Sequence, residues 1–420
     1  MHLRLNKKLY TSIGIITAVL LALYLIFPLR NQAAALPHDV DEIAWFYHTV
    51  FYDHLIQGNI NDPAWQSLEA YDHPPLSKYL YGGYLQLVSP GFARDRNALR
   101  AEFGSWYDGH LDLFPMDSPV FTTHVDHMRR LNIGFSVAAI AAVAILVWFM
   151  TKSLLLSLGL TLWLGSLPTF TAIMIRAVSD AHYLFFLAAA FAVFVLYLSK
   201  RRLAFLGISV IFGALSFSSK LFGGMYFIII PVFLILETFL GKIDLKHRVL
   251  TLIAMYVLGA GVWFILNPTL YPRPIHNSLW YMDMRSSIVS YQMNEPHNMP
   301  DILPTAVDRL NLLGCTFFRY KPNSNCTNWN MFPLWPLNVL IFMAGLYELV
   351  RRVVIKRNST ALFFLTYLVI LILLTEWKLQ FAWTRYLLPH LIIFSLIQCL
   401  GLASLAQTIM EFAKRLRHAH

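Results

Sequence analysis

Residues 131–150, LNIGFSVAAIAAVAILVWFM, run for twenty positions without an Asp, Glu, Lys or Arg. A helix rises 1.5 Å per residue, so this run spans about 30 Å, the thickness of a bilayer's hydrocarbon core. It is one of ten apolar runs, at 9–27, 131–150, 154–175, 182–198, 203–217, 221–240, 249–266, 331–350, 361–374 and 381–410. Over all 420 residues the chain is 57% hydrophobic and only 13% charged, which excludes a soluble domain. The reading is an all-α polytopic membrane protein, a helical bundle of about ten transmembrane helices. Runs 203–217 and 361–374 are short, so each must thin the bilayer or borrow flanking residues.

The first run follows Arg4, Lys7 and Lys8, as a signal peptide would, but its apolar core is long. Phe27-Pro28-Leu29-Arg30 is also a poor cleavage site, so the segment reads as a retained first helix. With the N-terminus in the cytoplasm, the inner segments carry 17 of the 33 Lys and Arg. Among them are Lys152, Lys200, Arg201, Arg202, Arg248, Arg351, Arg352 and Arg357. The loop between the first two runs holds 13 of the 23 Asp and Glu residues. Positive-inside bias therefore puts that loop on the non-cytoplasmic side and both termini in the cytoplasm. The expectation is a multi-pass protein of a plasma or ER-type membrane whose active site faces away from the cytoplasm. The net charge of +10 reflects this topology and its attraction to lipid headgroups, with no call for nucleic acid.

Residues 1–420 read as a single transmembrane domain with two hydrophilic outer loops, 29–130 and 268–330. Neither loop is long enough for a large separate catalytic domain, so chemistry falls where the loops meet the helix ends. In the first loop Ile43, Phe46, Tyr47, Val50, Phe51, His54 and Leu55 recur at helical spacing, predicting an amphipathic helix along the membrane surface. Asp39 and Glu42 suit a capping box at its start, which leaves Asp41 free. Asp72-His73-Pro74-Pro75 reads as a second helix start, with Leu76, Tyr79, Leu80, Gly83 and Leu87 on one face and Lys78 pointing outward.

The pair Asp41-Glu42 after the first span, then His73-Pro74-Pro75-Leu76-x-Lys78, resembles the protein O-mannosyltransferases and their bacterial relatives, the aminoarabinose transferases that modify lipid A. These are members of the GT-C superfamily of polyprenyl-phosphate-sugar-dependent glycosyltransferases. The mannosyltransferase pattern usually has Gly where this chain has Ser77. Further similarity lies in Arg176-Ala177-Val178-Ser179-Asp180, Ser218-Ser219-Lys220, Asn267-Pro268 with Pro274-Ile275, and Trp383-Thr384-Arg385-Tyr386-Leu387-Leu388-Pro389. The resemblance thus covers almost the whole chain. Its specific elements are the first-loop motifs and Arg385-Tyr386-x-x-Pro389.

The helix count that satisfies the positive-inside rule also puts Asp41, His73, Lys78, Arg176, Asp180, Lys220 and Arg385 at one face. Ionisable residues at membrane depth are costly unless paired or functional, which makes Arg176, Asp180, Lys220 and Arg385 candidates for one polar site. A plainer reading pairs Arg176 with Asp180, four residues on along a helix.

What the resemblance implies is inverting transfer of a hexose, mannose-type, from a polyprenyl-phosphate sugar to a hydroxyl. A protein Ser or Thr is the favoured acceptor; a lipid or cell-wall glycan is the alternative. Asp41 is the expected base, with Glu42 supporting it. Lys78, Lys220 and Arg385 are expected to offset the charge of the departing phosphate, and His73 to contact phosphate or acceptor. Arg176, Asp180 and Tyr386 complete the expected donor site, and the prenyl tail lies between helices. A divalent cation is used by some superfamily members; His124-Val125-Asp126-His127 has suitable residue types but no strong ligand spacing. A transporter or flippase is the competing class, yet it would place charges near the midplane and show repeated halves, and this chain shows neither.

Cys399 falls inside the last run, whereas Cys315 and Cys326 share the second loop, where an oxidising compartment would allow a disulfide. Asn325-Cys326-Thr327 is a glycosylation sequon.

Overall fold

A proline decides the shape of the third apolar run. Pro168 has no N–H to donate, and the residue before a proline is driven out of the helical region. Leu167 accordingly adopts φ −78°, ψ 107°, and the run breaks into two helices bent by 73°. In this computed structural model, which describes residues 7–105, 113–239, 245–294, 296–319, 326–327 and 329–419, each of the ten apolar runs is helical over most of its described residues. Asn325 of the sequon lies outside the described residues.

The runs form α1 (Lys7–Ala35), α7 (Pro119–Thr151), the bent pair α8 (Leu154–Ser166) and α9 (Pro168–Ile175), α10 (Asp180–Lys200), α11 (Leu203–Ser219), α12 (Tyr226–Phe239), α13 (Leu245–Leu266), α16 (Trp335–Val354), α17 (Ser359–Lys378) and α18 (Leu388–Ala419). Among the described residues six helices are long and apolar enough to cross a membrane, seven if the bent pair is one span. The short run 361–374 does borrow its flanks, since α17 has 20 residues. The other short run stays short at 17 residues in α11.

Helix α10 is the axis of the bundle. Tyr183, Leu187, Phe191 and Phe194 along it are fully buried, packed among α7, α11, α17 and α18. At the periphery α13 exposes Leu250, Ile253, Val257 and Ile265, the surface expected of a helix facing acyl chains. Helices α16 and α18 approach so closely that a Cβ on Gly345 or Gly401 would collide with the other helix's backbone, the close approach that small residues permit in membranes.

The first loop folds into α2 (Val40–His48), α3 (Val50–Ile56), α4 (Leu68–Asp72), α5 (Leu76–Val88) and α6 (Phe92–Phe103). The expected surface helix is interrupted at Thr49, and its apolar face is covered: Ile43, Phe46 and Tyr47 pack with Tyr81, Leu85, Phe92, Phe121 and Val125. The second helix starts at Leu76 instead of Asp72, because His73 precedes Pro74 and is extended at φ −133°, ψ 146°. The second loop contributes α14 (Pro274–Asn294) and α15 (Ala306–Phe318).

Asp180 opens α10 and Arg201 follows its last residue, so 21 residues and about 30 Å separate them. Around Arg201 a buried ion cluster forms: Glu237 accepts from Arg201 at 2.5 Å and from Arg248 at 2.5 Å. The opposite end, around Asp180, carries the first loop.

Candidate active site

The capping box forms as the sequence predicts. Asp39 accepts from the Asp41 amide at 3.0 Å, and Glu42 accepts from the Asp39 amide at 3.0 Å. Glu42 is buried and held further by Arg129 at 2.8 and 2.6 Å and by the Ala177 amide at 2.8 Å. Arg129 also donates to the carbonyls of Ala33, Leu36 and Pro37. This network ties α1, α2, α7 and the start of α10 together. It fixes the first turn of α2, and Asp41 is the carboxylate it leaves facing outward.

Asp41 meets Arg385 at 2.6 Å. Arg385 lies over the rings of Trp383 at 4.9 Å and Tyr386 at 6.0 Å. Burial pushes the Asp41 carboxyl up, but Arg385, with His73 and Lys220 adding to it, outweighs burial and holds it below the usual carboxylate value. Lys220, at the end of α11, pairs with Asp180 at 2.5 Å and lies over the rings of Tyr183 and Tyr386. Tyr386 stacks between Phe222 and Trp383. Asp41, Asp180, Lys220, Arg385 and Tyr386 therefore form one half-buried polar patch where the first loop caps the bundle.

The other expected members stand differently. Arg176 pairs with Asp39, so it does not pair with Asp180, and it braces the start of α2. Lys78 does not point outward: it is fully buried, donates to the carbonyls of Glu69 at 2.6 Å and Ala70 at 3.1 Å, and lies 4.7 Å from the Phe51 ring. Burial lowers its ammonium to about 7. The Ser77 hydroxyl sits 3.0 Å from His182 Nδ1, a contact a glycine could not make. His73 Nδ1 faces Asp72 at 2.9 Å, and its ring rests on Trp45 at 4.8 Å. The tract 124–127 is dispersed among separate partners: His124 contacts Ser89 and Asp95, and Asp126 faces His38.

Arg285 of α14 was not marked by the sequence. It donates to Asp72 Oδ1 at 2.6 Å and brings the second loop onto the first. That loop also holds the segment before Arg385: Leu303 N–H donates to the Gln380 carbonyl at 2.9 Å and Ala382 N–H to the Asp301 carbonyl at 2.7 Å. Cys315 and Cys326 form a disulfide. Beside Cys326, the Thr327 and Thr384 hydroxyls lie 2.5 Å apart.

No protein-family model matches the chain, and no curated protein matches it in sequence. Among solved structures it is similar to the oligosaccharyltransferase AglB from Archaeoglobus fulgidus in complex with an inhibitory peptide and a dolichol-phosphate. The likeness has 12% identity over 95% of this chain and 52% of that one, with a TM-score of 0.51. The apo form of the Archaeoglobus fulgidus oligosaccharyltransferase is similar at 13% identity over 95% and 52%, with a TM-score of 0.46. The chain spans about half the length of these structures. The likeness is one of fold, and it agrees with the helical bundle described above, that of an all-α polytopic membrane protein.

Proposed function

We propose that this protein is an inverting glycosyltransferase that moves a hexose from a polyprenyl-phosphate donor to a hydroxyl. The observation that carries the reading is Asp41, a carboxylate held ionised by Arg385 at 2.6 Å, with Lys220 adding to it, where the first loop caps the bundle. The similar oligosaccharyltransferase bound to a dolichol-phosphate supports a lipid-phosphate donor.

In the reaction the acceptor oxygen attacks the anomeric carbon, its proton passes to an Asp41 carboxylate oxygen, and the bond from that carbon to the phosphate oxygen breaks. The electron pair leaves with the lipid phosphate. Phosphate is a good leaving group, so what the site must supply is positive charge. Arg385 gives Asp41 one N–H of a five-donor fork, and the fork suits phosphate oxygens as well. Lys220 adds a second cation, positioned by Asp180 and Tyr386. Glu42 acts at a distance by fixing the turn that presents Asp41. His73 and Lys78 stand behind this patch as its frame, and Arg176 holds the start of α2. The first-loop motif favours a mannose-type sugar and a protein Ser or Thr. The outer loops then lie on the non-cytoplasmic side, opposite the Arg201, Glu237 and Arg248 cluster.

Transfer of radiolabelled sugar from a polyprenyl-phosphate hexose by the purified protein in lipid, wild type against Asp41→Asn, tests the reading. Label should reach protein, lipid or glycan fractions with wild type, and fall by about 10²- to 10⁴-fold in the variant. The labelled fraction identifies the acceptor. A folded wild type that transfers nothing from any such donor overturns the assignment.

A further inference from the structure

His48, the last residue of α2, is fully buried, and neither ring nitrogen has a hydrogen-bond partner. A buried imidazole left unsatisfied on both sides costs free energy, because water no longer solvates it. Its surroundings supply a reason to keep it there. Ligand atoms of His48, Asp72 and His73, one from each, all lie within 4.8 Å of one another. His73 Nδ1 and Asp72 Oδ2 are already 2.9 Å apart.

We propose that His48, Asp72 and His73 bind one divalent transition-metal ion of the zinc class. Two imidazole nitrogens and a carboxylate oxygen, with no thiolate, are a donor set that suits such an ion. Bonds of about 2.0–2.1 Å in a tetrahedron place ligand atoms about 3.4 Å apart, so the three need to close by little more than an ångström. Three protein ligands leave a fourth position for solvent or a substrate oxygen.

The neighbours are arranged for this. Arg285 occupies Asp72 Oδ1 at 2.6 Å while Oδ2 faces His73 Nδ1 at 2.9 Å, and outer hydrogen bonds of this kind aim ligating carboxylates. Lys78, another cation in this region, is held by the carbonyls of Glu69 and Ala70. Trp45 packs against both His48 and His73 and orients the rings. The ion would bolt the end of α2, the helix that carries Asp41, to the link that leads into α5, the helix that carries Lys78. The site stands whether or not the chain transfers sugar, and no step of that chemistry passes through it.

The test uses the full chain in lipid nanodiscs, purified without chelator from cells grown with added zinc, with metal content read by mass spectrometry. Wild type and His124→Ala, which lies outside the trio, should carry about one equivalent. His48→Gln and Asp72→Asn should lose it by at least about tenfold. A metal-free wild type, or retention in both trio variants, overturns the proposal. Where a trio variant fails to fold, chelator-stripped wild type titrated with Co²⁺ decides. A visible absorption band saturating at one equivalent and abolished by Zn²⁺ supports the site; its absence sinks it.

Discussion

Arg385 lies 344 positions after Asp41 in the chain and closes on it at 2.6 Å. The contact joins the first helix of the outer loop to the start of the last span. It sets the charge of Asp41 against the effect of burial, which by itself pushes the carboxyl up.

The pH dependence of transfer follows from that balance. A base must be ionised, and Asp41 is held below the ordinary carboxylate value of about 3.9. The acidic limb of kcat/KM attributable to Asp41 should therefore fall below that value. In Arg385→Gln burial acts with less opposition, so the limb should move to higher pH, together with a loss of rate. Because the folded carboxyl is depressed, the pair's contribution to stability is complete above the unfolded value and is lost as pH falls through the folded one. Rate against pH for the two proteins checks this; an unmoved limb would remove Asp41 from the role of base.

Lys220→Gln separates charge from shape. The substitution removes the cation between Asp180 and Tyr386 and should cost about 10²- to 10³-fold in kcat, the scale for a single group stabilising transition-state charge. Lys220→Arg should recover part of it. Equal rates for Gln and Arg would mean that the charge of Lys220 acts on Asp180 alone.

Arg129→Met should damage the fold more than the chemistry. Arg129 and Glu42 are both fully buried and joined at 2.6 Å, and removing one partner of such a pair costs about 3–5 kcal/mol, since the other charge is stranded. Thermal unfolding in lipid should show a large drop for Arg129→Met and a smaller one for the double variant Arg129→Met, Glu42→Gln.

Much of this arrangement was legible because membranes constrain sequence strongly. An apolar run ends where a polar residue can reach the interface, so Asp180 and Lys220, each next to a run, are marked by position, and Arg385 by the motif Arg385-Tyr386-x-x-Pro389 near the start of the last run. The capping box at Asp39 and Glu42 was local and readable. What could not be read were partners supplied from far along the chain. Arg176 has Asp180 four residues away, yet takes Asp39 from 137 positions earlier. Lys78 reads as an outward cation because the periodicity of α5 says nothing of the carbonyls of Glu69 and Ala70 in α4 that hold it inside. Arg285 lies in a loop with no periodic signal, and only the fold brings it to Asp72.

Gly401→Ala tests the packing beneath the site. The added methyl would strike the Ile341 carbonyl of α16, so the two helices must separate, at a cost of about 1–3 kcal/mol. Thr384 and Arg385 lie in the short helical turn Thr384–Leu387 that leads into α18, so a shifted helix should lower transfer as well as melting temperature. A drop in stability with full activity would show that Arg385 is held by the second loop instead of by α18.

The disulfide gives the complementary test, from the loop side. Cys315 and Cys326 close a segment with a sequence separation of 11, and a loop of that size stabilises by about 3 kcal/mol when cross-linked. The fixed end of that segment carries Thr327, whose hydroxyl meets Thr384, the neighbour of Arg385. Cys326→Ser should therefore lower both the melting temperature and the rate, and reductant should do the same to wild type while leaving Cys326→Ser unchanged. Cys399 is buried inside α18 and serves as the control, since Cys399→Ser should keep its sensitivity to reductant. If Cys326→Ser loses stability but transfers at the wild-type rate, the contacts of Asp301 and Leu303 with the segment before Arg385 are enough to position it. If it loses both, the clasp is part of what holds Arg385 against Asp41.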